Sequence, residues 1–432
     1  VRALIAKDCR ELFGSTAFAL LALVAGPLIG MSFIAAMRAY AEASGAGGGA
    51  AALASALSPL DGMLVPALGA LDLLITFLVP FVAIRLVSSE KSSGALALLL
   101  QSPLSIGAQL ASKLVALLAG WLVCLAPAAI ALTLWSAYGG HLDCAETVTL
   151  FLGHTLRYIV TCCLSMAAPS LFSSAASAAI AVLSFTIGTW ALDFFAAGRG
   201  GWVATLARYT PSAMLRQFER GLLDFEVLAV GIAASGLLLG VAALLLDGSS
   251  KKRPRIIRIG VTILLVAMVF VVNRRDHSVD LSEDRRNSFS AADEQLLRSI
   301  DAPVTIRFYM AAEDPRANDY ERNVLTKLRR TLPNLSVEYP YAGQTALFEN
   351  DARYGTIVYR IGAKEMVSRS TTEEIVLDDL ETLAGRTPPE RGEATYPGYP
   401  LNATPRGAAV LFYAVWPLLI SALWIARRVI AR

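Results

Sequence analysis

The sequence predicts a polytopic α-helical membrane protein with a small α/β domain outside the bilayer. Three observations point there. Of 432 residues, 55% are hydrophobic and only 17% charged, with a mean hydropathy of +0.54, whereas an ordinary soluble domain carries about 25% charged residues. Apolar runs long enough to cross a bilayer recur along the chain, separated by polar breaks. Residues 273–405 depart from that pattern, being polar and punctuated by Pro and Gly.

Residues 1–14 set Leu4, Ile5, Leu12 and Phe13 against Arg2, Lys7, Asp8, Arg10 and Glu11. That is an amphipathic helix lying on a membrane surface rather than a cleaved signal. A first span follows over Thr16–Met37, ended by Arg38 and an Ala/Gly-rich loop. A second occupies Gly62–Ile84 and carries Asp72 near its middle. The stretch Arg85–Ser105, RLVSSEKSSGALALLLQSPLS, must leave the bilayer, because Arg85, Glu90 and Lys91 are costly in hydrocarbon. Its run Ala95–Leu100 is too short to span and predicts a short amphipathic helix at the membrane face. Pro103 suits the start of the next helix.

The third span, Ile106–Leu134, holds Lys113 near its start, where it is expected to snorkel to the interface. The fourth, Thr147–Ala167, and the fifth, Ala175–Leu192, are separated by a break at Pro169–Ser174. Between Asp193 and Glu226 the segment TPSAMLRQFERGLLDF places Met214, Leu215, Phe218, Leu222 and Leu223 at helical spacing, predicting a re-entrant or interfacial helix. A sixth span covers Val227–Leu246, a seventh Ile256–Val272 and an eighth Ala408–Ile425.

Basic residues fix the expected orientation. KKRPR at Lys251–Arg255 with Arg258, the Arg85–Ser105 segment, the N-terminal helix and the tail with Arg427, Arg428 and Arg432 all fall on one side if the N-terminus is cytoplasmic. The positive-inside rule is then met at each of them. Residues 273–405 land outside the cytoplasm, between the seventh and eighth spans. There the pattern is α/β. Ser290–Asp293 resembles a capping box that opens a helix through Ile300. Val304–Met310 reads as a strand, Asp319–Leu332 as an amphipathic helix, and Leu335–Tyr341, Gly355–Ile361 and Lys364–Ser370 as strands. A last helix, Ile375–Ala384, is closed by Gly385.

Chemistry-bearing residues are few. The five cysteines show no CxxC pair or Cys/His ligand spacing, so the sequence gives no reason to expect a metal. His277 has no nucleophile beside it; Asp378, Asp379 and Glu381 read as a solvated helix face, as do Arg322, Lys327, Arg329 and Arg330. Inside the spans, Asp72, His154 and Arg157 are the candidate lining of a pathway. His154 and Arg157, one turn apart, suit a route for an anionic head group. Alternatively they are satisfied by carbonyls or a facing carboxylate, with Asp72 a candidate partner. No GxxxxGK[ST] loop is present, so ATP hydrolysis in this chain is not expected. A net charge of +3 gives no argument for nucleic acid.

The stretch Arg85–Ser105, with its arginine, acidic-basic pair, Ser-Gly, leucine-rich turn and Ser-Pro, resembles the cytoplasmic segment of type-2 ABC transporter permeases. That class includes the permeases of nitrous-oxide-reductase maturation and gliding motility. SLFSSAASAAIAVLSF with Trp190 and Asp193, and Gln217–Gly221 before the sixth span, resemble the same family, although the first turn lacks its Lys or Arg. The opening DLSEDRRNSFSAADEQLLRSIDAPVTIRFYM is similar to the auxiliary protein of gliding-motility ABC systems through Asp280, Leu281, Ser282, Phe289, Ser290, Leu297, Asp301, Pro303 and Val304. The domain is shorter than a full auxiliary protein.

The resemblance implies a six-span permease domain over 1–250 with an N-terminal interfacial helix, a seventh helix over 251–272, an extracytoplasmic α/β domain over 273–405, and an eighth helix with a basic tail over 406–432. It implies a separate ABC ATPase in two copies, which holds the ATP and Mg while this chain has no cofactor of its own. It also implies a second permease copy, surrounding lipid and an envelope partner, in a bacterial inner membrane. Arg85, Glu90, Lys91 and Gly94 would form the coupling signature, with Leu96, Leu99 and Leu100 as its packing face. The implied activity is ATP-driven export or extraction of a lipid, glycan or hydrophobic molecule. The alternative is mechanotransmission, with the outer domain moved and no cargo carried.

Overall fold

The computed structural model describes residues 1–45, 57–101, 104–196, 202–246, 278–311, 314–332, 334–341, 352–389, 396 and 398–430. The seventh span expected over Ile256–Val272, the KKRPR cluster, Pro103 and His277 lie outside the described residues.

The protein is a polytopic helical membrane protein. Seven helices among the described residues are long and apolar enough to cross a bilayer: Thr16–Ser44, Leu60–Ser92, Ile106–Ala137, Cys144–Leu171, Ala175–Ala196, Phe225–Leu246 and Ala408–Val429. The chain opens with α1 (Arg2–Gly14) and α2 (Thr16–Gly45). The second span enters through a π-helical turn, Leu60–Leu64, and runs as α3 (Val65–Phe77) and α4 (Val79–Ser92). The join at Leu78 has a simple cause: Pro80 lacks an amide hydrogen and its ring crowds the preceding turn. The helix then continues past Ile84, so Arg85, Glu90 and Lys91 extend the span as a final helical stretch instead of forming a loop.

Gly94, at φ +76°, turns the chain through the left-handed region into α5 (Ala95–Leu100). Next come α6 (Ile106–Ala137), capped by Ser105, and α7 (Cys144–Leu171), capped by Asp143. They are followed by α8 (Ala175–Ala196), α9 (Trp202–Arg208) and α10 (Pro211–Glu219). The amphipathic helix expected through Leu223 ends at Glu219, because Gly221 adopts φ +75° and releases the chain as strand β1 (Leu222–Asp224). Then α11 (Phe225–Leu246) crosses.

After β2 (Ser278–Asp280) the domain folds as α12 (Ala291–Arg298), β3 (Val304–Tyr309), α13 (Pro315–Tyr320), a π-helical turn Glu321–Leu325, and α14 (Thr326–Thr331). It continues with β4 (Leu335–Glu338), β5 (Thr356–Ile361), β6 (Lys364–Ser368) and α15 (Glu373–Leu383). Ser290 accepts from the Asp293 amide at 3.2 Å, as the capping pattern predicts. The four-stranded sheet has order β4-β3-β5-β6, with β3 parallel to β4 and antiparallel to β5. Val304, Ile306 and Phe308 alternate inward from β3 against Tyr320, Leu325 and Leu328. Finally Ala408–Val410, a π-helical turn Leu411–Val415 and α16 (Trp416–Ile430) form the last span.

Two glycines let that last span lie close to the first. A Cβ on Gly26 would stand 2.1 Å from the Trp416 indole, and one on Gly30 2.3 Å from Phe412. Trp416 Nε1 donates to the Ala22 carbonyl at 2.8 Å. Small residues that admit a neighbouring helix are how helices associate in lipid.

The domain is sewn to one face of the bundle. β1 pairs antiparallel with β2, Leu222 opposite Asp280, and the Leu281 amide donates to the Gly221 carbonyl at 2.9 Å. Asn287 Nδ2 donates to the Arg220 carbonyl at 2.7 Å. Arg286 pairs with Asp61 and donates to Ser58 Oγ at 2.6 Å. Glu283 receives the Tyr399 hydroxyl at 2.6 Å and lies 3.1 Å from His141 Nε2, while the His141 and Tyr399 rings stack at 3.7 Å. Asp280 organises this seam. Burial opposes its charge, but hydrogen bonds from Ser282, Asn287 and Ser288 hold its carboxyl below the usual range.

Several polar residues expected to be solvated are not. Glu381 is fully buried, because it shares the inward face of α15 with Leu377 and Leu380. Lys327 is buried and pairs with Glu373 at 2.7 Å. Arg330 donates to Ser278 Oγ at 2.8 Å, so it faces the seam instead of water.

Candidate functional site

On the face opposite the domain, α1, the end of α4 and the start of α6 close around a set of buried charges. Lys113 is 3% exposed, Glu90 4% and Asp8 fully buried. Lys113 Nζ lies 2.9 Å from Glu90 and 3.3 Å from Asp8. Ser112 Oγ donates to Asp8, Lys7 pairs with Glu90, and Ser89 Oγ donates to Glu11 at 3.0 Å. The Lys7 ammonium is opposed by burial, but the Glu90 and Asp8 carboxylates hold its pKa above the ordinary lysine value.

This arrangement corrects two expectations. Lys113 does not snorkel, because two carboxylates wait for it inside the protein. Glu90 is not part of an exposed docking face; it is the counterion that clamps α1 to α4 and α6. Asp8, Glu11 and Glu90 bring their carboxylates within 4.8 Å of one another, as a metal site would. Two ammonium groups already compensate them, so the physical reading is an ion-pair cluster.

The other coupling candidates divide between framework and surface. Lys91 Nζ donates to the Pro169 carbonyl at 2.7 Å and the Phe172 carbonyl at 3.0 Å, closing the free carbonyl end of α7. Arg85 is exposed, with Nη1 3.5 Å from Thr16 Oγ1. Gly94 supplies the left-handed corner. Leu96 and Leu99 are half-buried; the side chain of Leu100 lies outside the described residues. Gln109, 4% exposed, donates to the Leu99 carbonyl at 3.0 Å and fastens α5 to α6. Among the residues of α5 whose side chains are described, Leu98 stands out, 70% exposed.

Within the bundle, the candidate pathway residues do meet in part. Arg157 Nε lies 2.7 Å from Asp72 Oδ1, and Nη2 donates to Thr76 Oγ1 at 3.1 Å. Asp72 lies 12 residues into its span, about 18 Å from Leu60 at the helical rise. His154 stays apart from this pair: it is fully buried, and neither ring nitrogen has a hydrogen-bond partner among the described residues. Nearer the domain face, Arg216 pairs with Asp193 through both carboxylate oxygens at 2.5 Å.

Sequence reasoning missed Asp8 and Gln109 as structural anchors. A signal was present for Asp8, which falls in the series Leu4, Asp8, Leu12 on the apolar stripe of α1. A carboxylate on such a stripe requires a buried cation. Comparisons of the chain with family models, with curated proteins and with solved structures found no match.

Proposed function

We propose that this chain is the permease subunit of an ATP-driven ABC transporter, powered by a separate ATPase that docks on the face carrying α1 and α5. In this reading both termini are cytoplasmic and the α/β domain is extracytoplasmic. Two copies form the transmembrane path, and the cargo is a lipid, glycan or hydrophobic molecule. The observation that supports it is the construction of α5. The helix is turned by Gly94, fastened on its inner side by Gln109, and left with Leu98 standing out. A short helix held this firmly behind an exposed leucine is suited to receive force and hand it to α4 and α6. ATP-bound and free ATPases must contact that face differently, since only differential binding shifts a conformational equilibrium.

Mechanotransmission is the second reading, and the pairing of β1 with β2 favours it. That pairing joins the domain directly to the chain entering α11, so a movement of α11 is passed on through main-chain hydrogen bonds. Co-reconstitution of the chain with its ATPase in liposomes separates the two. Cargo-stimulated ATP hydrolysis with cargo appearing on the far side supports transport. Hydrolysis that moves the domain without cargo supports mechanotransmission. A chain that associates with no ATPase contradicts both.

A further inference from the structure

The described lysines at the α1 end of the bundle all have partners inside the protein. Lys7 and Lys113 pair with Glu90 and Asp8, and Lys91 donates to two carbonyls. Three arginines at the same end are different: no carboxylate reaches Arg85, Arg427 or Arg428 among the described residues, and all three are exposed. Arg85 meets the Thr16 hydroxyl at 3.5 Å. Arg427 lies over the Phe13 ring at 5.5 Å, and Arg428 over the Trp424 ring at 3.9 Å. A ring beneath a guanidinium fixes its plane and leaves the N–H donors of its edge free, and that edge matches two oxygens of a phosphate.

Their height in the bilayer decides what surrounds them. Arg85 lies within the second span, Leu60–Ser92, and Arg427 and Arg428 lie within the last, Ala408–Val429. Phe13 is in the last turn of α1 and Thr16 opens α2, so Arg85 and Arg427 bracket the corner between those helices. Apolar side chains begin at once above it. Leu20, one turn past Thr16, is 60% exposed, and Leu423, one turn before Arg427, is 56% exposed. Guanidiniums in the last two turns of spans, next to side chains that face lipid, stand at the level of the head groups.

We propose that this corner binds an anionic phospholipid of the adjoining leaflet, its phosphate held by Arg427 and Arg85 with Arg428 beside them, and an acyl chain lying along Leu20 and Val24 of α2. Charge selects the occupant. A zwitterionic phospholipid carries its own ammonium beside the phosphate, whereas three cations without a carboxylate favour a head group of net negative charge. Bound there, the lipid bridges the ends of the first, second and last spans. The proposal goes beyond the transporter reading and does not depend on it.

The test uses the purified full-length chain in a neutral detergent with no ATPase present, so its failure is separate from failure of the transporter reading. Dioleoyl phosphatidylglycerol and dioleoyl phosphatidylcholine, which differ only in head group, are each titrated in and the bound lipid is counted by native mass spectrometry. The first phosphatidylglycerol should bind about tenfold more tightly than phosphatidylcholine. Arg427→Gln and Arg85→Gln should each weaken it about tenfold, the contribution of one charge-assisted hydrogen bond, with the melting midpoint unchanged because both side chains are exposed. Arg10→Gln removes an equal charge from the outward face of α1 and should change the affinity by about twofold or less, since salt screens a distant exposed charge. Inorganic phosphate should not displace the lipid. Equal affinity for the two lipids overturns the proposal and leaves the arginines to the carboxylates of a protein partner. Displacement by inorganic phosphate overturns it in favour of a free anion. Equal losses in Arg10→Gln and Arg427→Gln also overturn it, because overall charge and not this corner would then hold the lipid.

Discussion

The two faces of this bundle hold their attachments by different physics. On the α1 face a helix is held by full charges withdrawn from water: Asp8, Glu90 and Lys113 are each at most 4% exposed. On the domain face a whole domain is held by main-chain pairing of β1 with β2, by ion pairs that water reaches, and by the stack of His141 on Tyr399. Buried ions are intolerant of losing one partner, whereas a seam of many modest bonds loses strength in steps. The first device suits a rigid platform, the second a joint that moves.

That contrast is sharpest at Lys113. Lys113→Met leaves Asp8 and Glu90 to share the exposed Lys7 and is expected to destabilise the bundle by about 3 kcal/mol, read as a lowered melting midpoint in detergent. Adding Asp8→Asn and Glu90→Gln, which removes those two charges, should restore much of the loss. No restoration would mean that the lysine acts through packing alone. Gly26→Val comes next, since it pushes on Trp416 at the close contact between α2 and α16. Overpacking of this kind costs about 1–3 kcal/mol and should expose the last span to proteolysis before the bundle melts.

The seam should respond less. Asp280→Ala removes the acceptor for Ser282, Asn287 and Ser288 and should loosen residues 278–288, raising their hydrogen exchange by about tenfold, consistent with about 1–2 kcal/mol of charge-assisted bonding. Because the Asp280 carboxyl is held below its usual value, its contribution is complete above the unfolded pKa of about 3.9 and is lost as pH falls through the lowered folded value. The part of the seam's exchange that depends on Asp280, read as the difference between wild type and Asp280→Ala, should therefore be constant from about pH 7 to 5 and change only below about pH 4. Arg286→Ala, facing the 63% exposed Asp61, is expected to change stability by about 1 kcal/mol or less. Cys144, the exposed cysteine beside this seam, tests sidedness. A membrane-impermeant maleimide added outside sealed cells should label it, and labelling only after lysis would invert the proposed orientation.

The fold was legible in the chain to the extent that apolar length and turn residues decide it. The described spans, the Ala95–Leu100 helix and the strands of the domain lie where hydropathy and alternation put them. Partnership was not legible, because it depends on which faces meet. Glu90 and Lys113 read locally as interfacial charges, yet the presence of Asp8 on α1 draws both inward. Leu222 and Leu223 fit a helical spacing, yet Gly221 and the pairing offered by Ser278–Asp280 make them a strand. The Asp72–Arg157 pair was a candidate from charge alone, and only the packing of α3 on α7 brings the two groups to 2.7 Å.

The proposed docking face can be tested at one residue. Leu98 is 70% exposed, so Leu98→Asp should leave the melting midpoint of the isolated chain unchanged. Tagged wild-type chain, purified from its native membranes in mild detergent, is expected to carry a Walker-motif ATPase in stoichiometric amount, and the Leu98→Asp chain to carry none. An ATPase retained equally by the variant, or missing from the wild type, would contradict the assignment of α5 as the place where hydrolysis is coupled to the membrane.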